Sequence, residues 1–327
     1  MYVPGNCLFS CLPVKLSAMP VRFSSSITCA YLYPITRYGY PPDVSKTNAH
    51  LEEMAGMGFN SLELEGIGGD NILYQHKHRK QLADKVKELG CTIPVYCVVL
   101  PALASADPER QKESLAFFEM GCETARSLGA TAVLDNGPLL PLEFPAEAPV
   151  KRHYDDKYLA SLGLPAGFSW DEYELRLTRT YQQACSIAEH YGLDYHLHPC
   201  EGSMITNTDS FLHFADKVNA DNLLFNLDTA NQFFFRDNLV ISLLRLRNRI
   251  GYVHLSDNRG TRVEHLVPGE GSIHWDSFFS TLKAIGFKGH YGIDVGGAET
   301  PITDIKAAYL RSAQWLEEQL TAYSLMN

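Results

Sequence analysis

Nowhere does the chain hold the ~20 consecutive apolar residues that a membrane-spanning helix needs, so no membrane contact is expected. Basic residues are scarce as well: 28 Lys and Arg stand against 38 Asp and Glu, a net charge of −10. A nucleic-acid partner calls for a basic face, so none is expected and a nuclease role is disfavoured. The eight cysteines form no CxxC pair, and a chain of this size builds its core without disulfides, which makes a cytoplasmic location the default. The first apolar strand is followed by Leu32-Tyr33-Pro34-Ile35 rather than a glycine-rich loop. That is the wrong chemistry for a dinucleotide fold. The first residues lack both the basic n-region and the unbroken apolar run of a secretory signal. Residues 1–26, with Cys7 and Cys11, read as an N-terminal extension, and Met19 as an alternative start.

What the chain does have is a regular rhythm. Short apolar runs at 27–31, 61–64, 93–99, 131–134, 193–198, 223–227, 251–255 and 291–295 read as strands. Amphipathic helices are expected over 43–57, 72–89, 108–128, 170–191, 209–218, 239–249, 275–285 and 303–323. Punctuation supports several of them. Asp107-Pro108 opens one helix and Gly129 closes it, while Ser169 is placed to cap another. Such alternation implies parallel strands joined by helical crossovers, and eight units favour closure into a single-domain (β/α)8 TIM barrel over residues 27–327. The long connection 136–168 follows a strand, so it is expected at the barrel mouth, with Arg152, His153 and Tyr154 near the substrate or a neighbouring chain.

Barrel active sites form at the carboxyl ends of the strands. The polar residues there are Glu63 and Glu65, Asp135, His196, His198 and Glu201, Asp228 and Asn231, His254 and Asp257, and Asp294. A lone His or Asp among Val, Ile and Leu is an expensive placement unless something compensates it. His196, Asp228, His254 and Asp294 are each separated by one strand–helix unit and are expected to converge on one divalent metal. Two imidazoles and two carboxylates suit Mn²⁺, Co²⁺, Fe²⁺ or Zn²⁺ more than a site of oxygens alone, with Mg²⁺ also open. Arg259 and Arg262 follow His254 and are placed to meet a substrate oxygen.

The runs Asn226-Leu227-Asp228-Thr229-Ala230-Asn231, Tyr252-Val253-His254-Leu255-Ser256-Asp257, Pro268-Gly269-Glu270-Gly271-Ser272-Ile273-His274-Trp275 and Gly289-His290-Tyr291-Gly292-Ile293-Asp294-Val295 resemble the xylose isomerase-like superfamily of sugar phosphate isomerases and epimerases. Residues 59–65 look like its second strand, and the resemblance runs from about Thr28 onward. It implies a metal held by Glu, Asp, His and Glu on strands five to eight. Asp228 and His254 match; His196 within Tyr195-His196-Leu197-His198 stands where the fifth-strand Glu is usual, and Asp294 stands for the eighth. The second-strand Glu is carried onto Glu63, and Asn231 replaces a His. In the epimerases both glutamates bind metal and exchange the proton, so their replacement departs from the two-base pattern. The Tyr-His-x-His run also resembles a branch with inosose dehydratase-like proteins, and related barrels cleave oxidised C-glycosides.

The expected activity is therefore a metal-dependent isomerase or epimerase of a sugar or sugar derivative, working by proton abstraction next to a carbonyl. A lyase acting on keto sugars or keto glycosides by β-elimination, and a non-catalytic carbohydrate-binding barrel, are the alternatives. Mn²⁺ is the expected metal, with Mg²⁺, Co²⁺ or Zn²⁺ as alternatives. His198, Glu63 and Glu201 are expected to carry protons, with His198 preferred, and Asn231, Arg259 and Glu65 to bind substrate. A small carbohydrate is the expected partner, in a homo-oligomer or with a second subunit.

Overall fold

Apolar strands and amphipathic helices in strict alternation bury both surfaces by wrapping the helices around a parallel sheet. The computed structural model, which describes residues 22–145 and 156–326, has this arrangement. Strand β1 (Ile27–Cys29) leads into helices α1 (Leu32–Tyr38) and α2 (Thr47–Gly56). β2 (Ser61–Leu62) and β3 (Leu64–Ile67) are two pieces of one strand interrupted at Glu63. Then come α3 (Gly68–Glu88), β4 (Val95–Val99), α4 (Pro108–Leu128), β5 (Ala132–Asn136), α5 (Asp156–Ala160), α6 (Trp170–His190) and β6 (Asp194–His198). The remainder is α7 (Thr208–Val218), β7 (Leu223–Asp228), α8 (Thr229–Phe234), α9 (Leu239–Leu246), β8 (Ile250–Leu255), α10 (Trp275–Ile285), β9 (His290–Ile293) and α11 (Ile305–Ala322).

Neighbouring strands all pair in parallel, in the order β2-β1-β9-β8-β7-β6-β5-β4-β3. Because β2 and β3 belong to one strand, the two ends of that order meet. The nine segments are thus the eight-stranded barrel expected from the sequence. Strand parity sorts the side chains. On β6, Tyr195 packs outward against Phe118 of α4 and Tyr181 of α6, while His196 and His198 take the opposite parity and face the barrel axis. Val95, Cys97, Ala132, Leu134 and Tyr252 form a small apolar cluster of their own inside the barrel.

Several helix signals act where expected. Asp107 accepts a hydrogen bond from the Glu109 N–H, Ser169 accepts from Glu172, and Gly129 adopts the left-handed conformation that ends α4. Helices α1, α5 and α8 have seven, five and six residues, too few for a helical period to stand out in the sequence. The barrel body begins earlier than residue 27. Phe23 is buried against Phe59, and Arg22 donates to the carbonyls of Leu89 and Gly90. Residues 1–21 lie outside the described residues, as do Arg152, His153 and Tyr154. Within the described part of the long connection, Leu139 bridges to Ser203, and Pro138 accepts from Met204. Both contacts hold it over the chain leaving β6, at the mouth.

Candidate metal centre

Parallel register fixes how deep each inward side chain sits. His196 pairs with Leu134 and Leu224, and His198 lies one inward position nearer the mouth, opposite Asn136. That step separates the two histidines chemically. The His196 ring packs against Gly251 on β8, where any Cβ would collide with it. Neither of its nitrogens has a hydrogen-bond partner, and burial, followed by the charge on His254, lowers its pKa to about 3. His196 is a neutral buried ring beneath the site.

His198 is the histidine that joins Asp228 and His254. Its Nε2 lies 3.8 Å from Asp228 Oδ2, and the His254 Nδ1 lies 4.0 Å from the same oxygen and 3.9 Å from Asp294 Oδ2. Donors about 2.1 Å from one tetrahedral ion sit ~3.4 Å apart, so each of these three pairs lies about half an ångström beyond the separation of a shared ion's ligands. The fit has a second support. Asp228 Oδ1 accepts from the Asn231 N–H and so caps α8, whereas Asp228 Oδ2 is buried with no hydrogen-bond partner. An oxygen left bare in this way is expensive unless a cation meets it. Burial is also the main reason the Asp228 carboxyl sits above the usual carboxylate range.

Glu63 completes the arrangement from outside the donor set. The break between β2 and β3 turns its fully buried side chain inward, where one oxygen accepts from the Tyr31 N–H and the other lies 2.9 Å from His254 Nε2. Nε2–H donating to Glu63 leaves Nδ1 facing Asp228 and Asp294, the usual way a carboxylate orients a metal-binding imidazole. Room for the ring comes from Gly292, its register partner on β9, where a Cβ would strike His254 and Tyr252. Burial pushes the His254 pKa down, but Glu63, Asp294 and Asp228 outweigh it and raise the pKa to about 9. A protonated His254 offsets part of the negative charge that Glu63, Asp294 and Asp228 place around it.

Two residues had gone unassigned. Asn226 shares parity with Asp228 on β7, and its amide nitrogen lies 2.8 Å from His198 Nδ1 and 3.1 Å from His254 Nδ1. His265, held at a positive φ of 44°, places Nδ1 3.4 Å from Asp294 Oδ2 and 3.0 Å from Ser256 Oγ. The parity of Asn226 was readable from the sequence. Only the loop's three-dimensional path reveals His265.

The other expected residues divide. Asn231 Nδ2 lies 3.4 Å from His198 Nε2, inside the cluster. Glu65 lines the pocket over the donor set together with Tyr40, Cys97, Asn136, Cys200 and Asp294. Glu201 lines a separate small cleft with Asp135 and Tyr181. Arg259 is not brought to the site. It is half exposed and bound to Glu264 at 2.9 Å, with Arg262 3.8 Å from the same carboxylate. Asp257 is an anchor, accepting from the N–H groups of Asn258, Gly269 and Ile273 and from the Trp275 indole. Asp135 accepts from Leu100 and Asn136 in a similar structural role. Among the described residues no helix is long and apolar enough to cross a membrane.

A family model described as a xylose isomerase-like TIM barrel matches residues 51–319. The chain is similar to a D-psicose 3-epimerase of Enterocloster bolteae, 21% identical over 254 residues that cover 73% of each protein. In structure it resembles an L-ribulose 3-epimerase with a TM-score of 0.69 at 17% identity, covering 91% of this chain and 95% of the other. The IOLI protein with a binding zinc atom superposes with a TM-score of 0.64 at 19% identity, covering 91% and 98%.

Proposed function

The chain belongs to the xylose isomerase-like TIM barrel family, and from that premise we propose that it is a divalent-metal-dependent epimerase or isomerase of a keto sugar. The observation that carries this reading is the buried cluster of His198, Asp228 and His254, with Asp294 beside it next to His254 and His265 and with the bare Oδ2 of Asp228 at its centre. The first four hold the ion, with His198 taking the place first expected of His196. Mn²⁺ suits the mixed donors, and Mg²⁺, Co²⁺ and Zn²⁺ are the alternatives. When bound, the metal polarises the substrate's carbonyl and adjacent hydroxyl oxygens and so acidifies the neighbouring C–H.

The protein's own groups do the rest. Glu63 spends both oxygens on Tyr31 and His254, so it orients the imidazole rather than moving a proton. A metal-bound His198 is a weak base. Glu65, which lines the same pocket from β3 and lies outside the donor set, is assigned the proton at the substrate carbon. Asn231 presents its amide beside His198 and steers a substrate oxygen.

Product analysis tests the proposal. Metal-loaded protein mixed with ketohexoses is expected to give a reversible mixture of epimers or of ketose and aldose, followed by NMR. Irreversible release of water or an aglycone would replace this reading with a lyase. Sugar binding without turnover by metal-loaded protein would replace it with a carbohydrate-binding barrel.

A further inference from the structure

Glu65 and Cys97 are register partners on the paired strands β3 and β4, so their side chains leave neighbouring backbones toward the same face. That face is the barrel interior, because both residues line the pocket over the donor set. Glu63 reaches the same place from the break between β2 and β3. One ligand atom from each of Glu63, Glu65 and Cys97 lies within 4.8 Å of the other two, and none of the three belongs to the donor set. The Cys97 thiol is the member without a structural use. Cys29 and Cys91 donate their S–H groups to the carbonyls of Ala30 and Phe59. Cys97 is only 1% exposed, yet its sulfur makes no hydrogen bond among the described residues. Burial pushes its pKa up, and Glu63, Glu65, Asp294 and Asp135 push it further, so the sulfur lies in a field that draws cations.

We propose that Glu63, Glu65 and Cys97 form a second cation site, selective for thiophilic ions such as Cd²⁺ and Zn²⁺, whose occupation silences the enzyme. Binding exchanges one bond for another. The S–H proton leaves to solvent, and the electron pair it frees on sulfur binds the cation, with no change of oxidation state. One thiolate beside two carboxylates suits Cd²⁺ or Zn²⁺ and not the harder Mn²⁺ or Mg²⁺, so manganese at the donor set does not fill this site. Sulfur and oxygen ligands of one tetrahedral zinc ion sit ~3.5 Å apart, which leaves at most ~1.3 Å to close. Rotation of the half-buried Glu65 side chain supplies that movement. Each carboxylate oxygen carries two lone pairs, so Glu63 can meet the cation while it still holds Tyr31 and His254. The silencing rests on the proposed function, in which Glu65 carries the substrate's proton: a carboxylate bound to a cation is a poor base. The cation binding itself does not depend on that reading.

The test adds one equivalent of Cd²⁺ to Mn²⁺-loaded protein carrying Cys7→Ser and Cys11→Ser, so that the cysteines outside the described residues do not answer. An ultraviolet thiolate-to-cadmium charge-transfer band is expected, with one cadmium per chain beside a retained manganese by elemental analysis. Cys97→Ala and the near-isosteric Cys97→Ser are expected to lose the band and to bind cadmium at least about tenfold more weakly. Retained manganese shows that each variant is folded. Cys200→Ala, in the same pocket, is expected to keep both band and affinity. Solvent-deuterium exchange into D-psicose should fall ~10²-fold or more when cadmium binds, and by less than about twofold in Cys97→Ser. Manganese lost as cadmium enters, or a band that survives both Cys97 variants, overturns the site. A Cys97-dependent band with undiminished exchange upholds the site but overturns the silencing, and with it Glu65 as the proton carrier. No exchange before cadmium is added counts against the proposed function alone, because the band reads the site without turnover.

Discussion

Replacing His196 by leucine separates the two histidines of β6. In the folded protein burial lowers the His196 pKa to about 3, against 6.5 for an ordinary histidine. As pH falls below 6.5, the unfolded chain takes up a proton that the folded chain refuses until about pH 3. The unfolded state then binds more protons, and stability drops with pH across that window. A difference of this size corresponds to roughly 5 kcal/mol lost between pH 6.5 and 3. His196→Leu removes that loss, and it removes two buried nitrogens that lack partners, each worth about 1–3 kcal/mol. The variant is therefore expected to match or exceed the parent's stability at pH 7, to lose less on acidification, and to keep one metal per chain. His198→Ala is expected to do the opposite with the metal. It should lower affinity by more than the ~10–100-fold typical of losing an outer partner. Urea denaturation at pH 7, 5 and 4 with elemental analysis reads both variants. Metal loss from His196→Leu with metal kept in His198→Ala would refute the reasoning.

Further outcomes follow from the same geometry. His254, at a pKa of about 9, is protonated in the metal-free protein at neutral pH. Metal uptake should therefore release close to one proton, and affinity should rise about tenfold per pH unit up to pH 9; calorimetry in two buffers of different ionisation enthalpy would contradict this by showing none. The same raised pKa stabilises the metal-free fold below pH 6.5 and is lost through pH 9, so chelated protein should melt lower at pH 10 than at pH 6. Glu63→Gln keeps the shape but weakens the acceptor of the His254 Nε2–H, and a ~10–100-fold loss of metal affinity is expected by competition with a chelator. Asp257→Ala strips the acceptor from three backbone N–H groups and the Trp275 indole, and should cost about 3 kcal/mol or more in a denaturant melt while leaving the four donors in place.

How much of this was readable from the sequence depends on which geometric variable each residue needed. Parity along a strand is encoded by a period of two, and it brought Asp228, His254 and Asp294 to the axis without a structure. Depth along the barrel is not encoded that way. His196 and His198 share parity, and only the register with Leu134 and Asn136 separates them. The nearest sequence clue was Gly251, a strand position with no side chain, which the His196 ring fills. Glu63 was visible as a strand-end carboxylate, but its partner is 191 residues away across the closed sheet. Arg259 was misplaced for the reverse reason. Its partner Glu264 is five residues along an irregular loop, and no periodicity predicts that turn. The barrel itself was legible because its strands, helices and caps agree with one another, whereas the short helices α1, α5 and α8 carry no period to read.

The central claim is that a metal held by His198, Asp228, His254 and Asp294 enables proton exchange at a sugar carbon beside a carbonyl. Its most direct test is deuterium incorporation from D₂O into D-psicose at that carbon, measured by NMR. Three samples are compared: protein carrying one Mn²⁺ per chain, the same protein stripped by a chelator, and the stripped protein reloaded. Exchange in the first, its loss in the second and its return in the third are the predicted results. Equal exchange with and without metal, or none in protein shown to be fully loaded, would contradict the account.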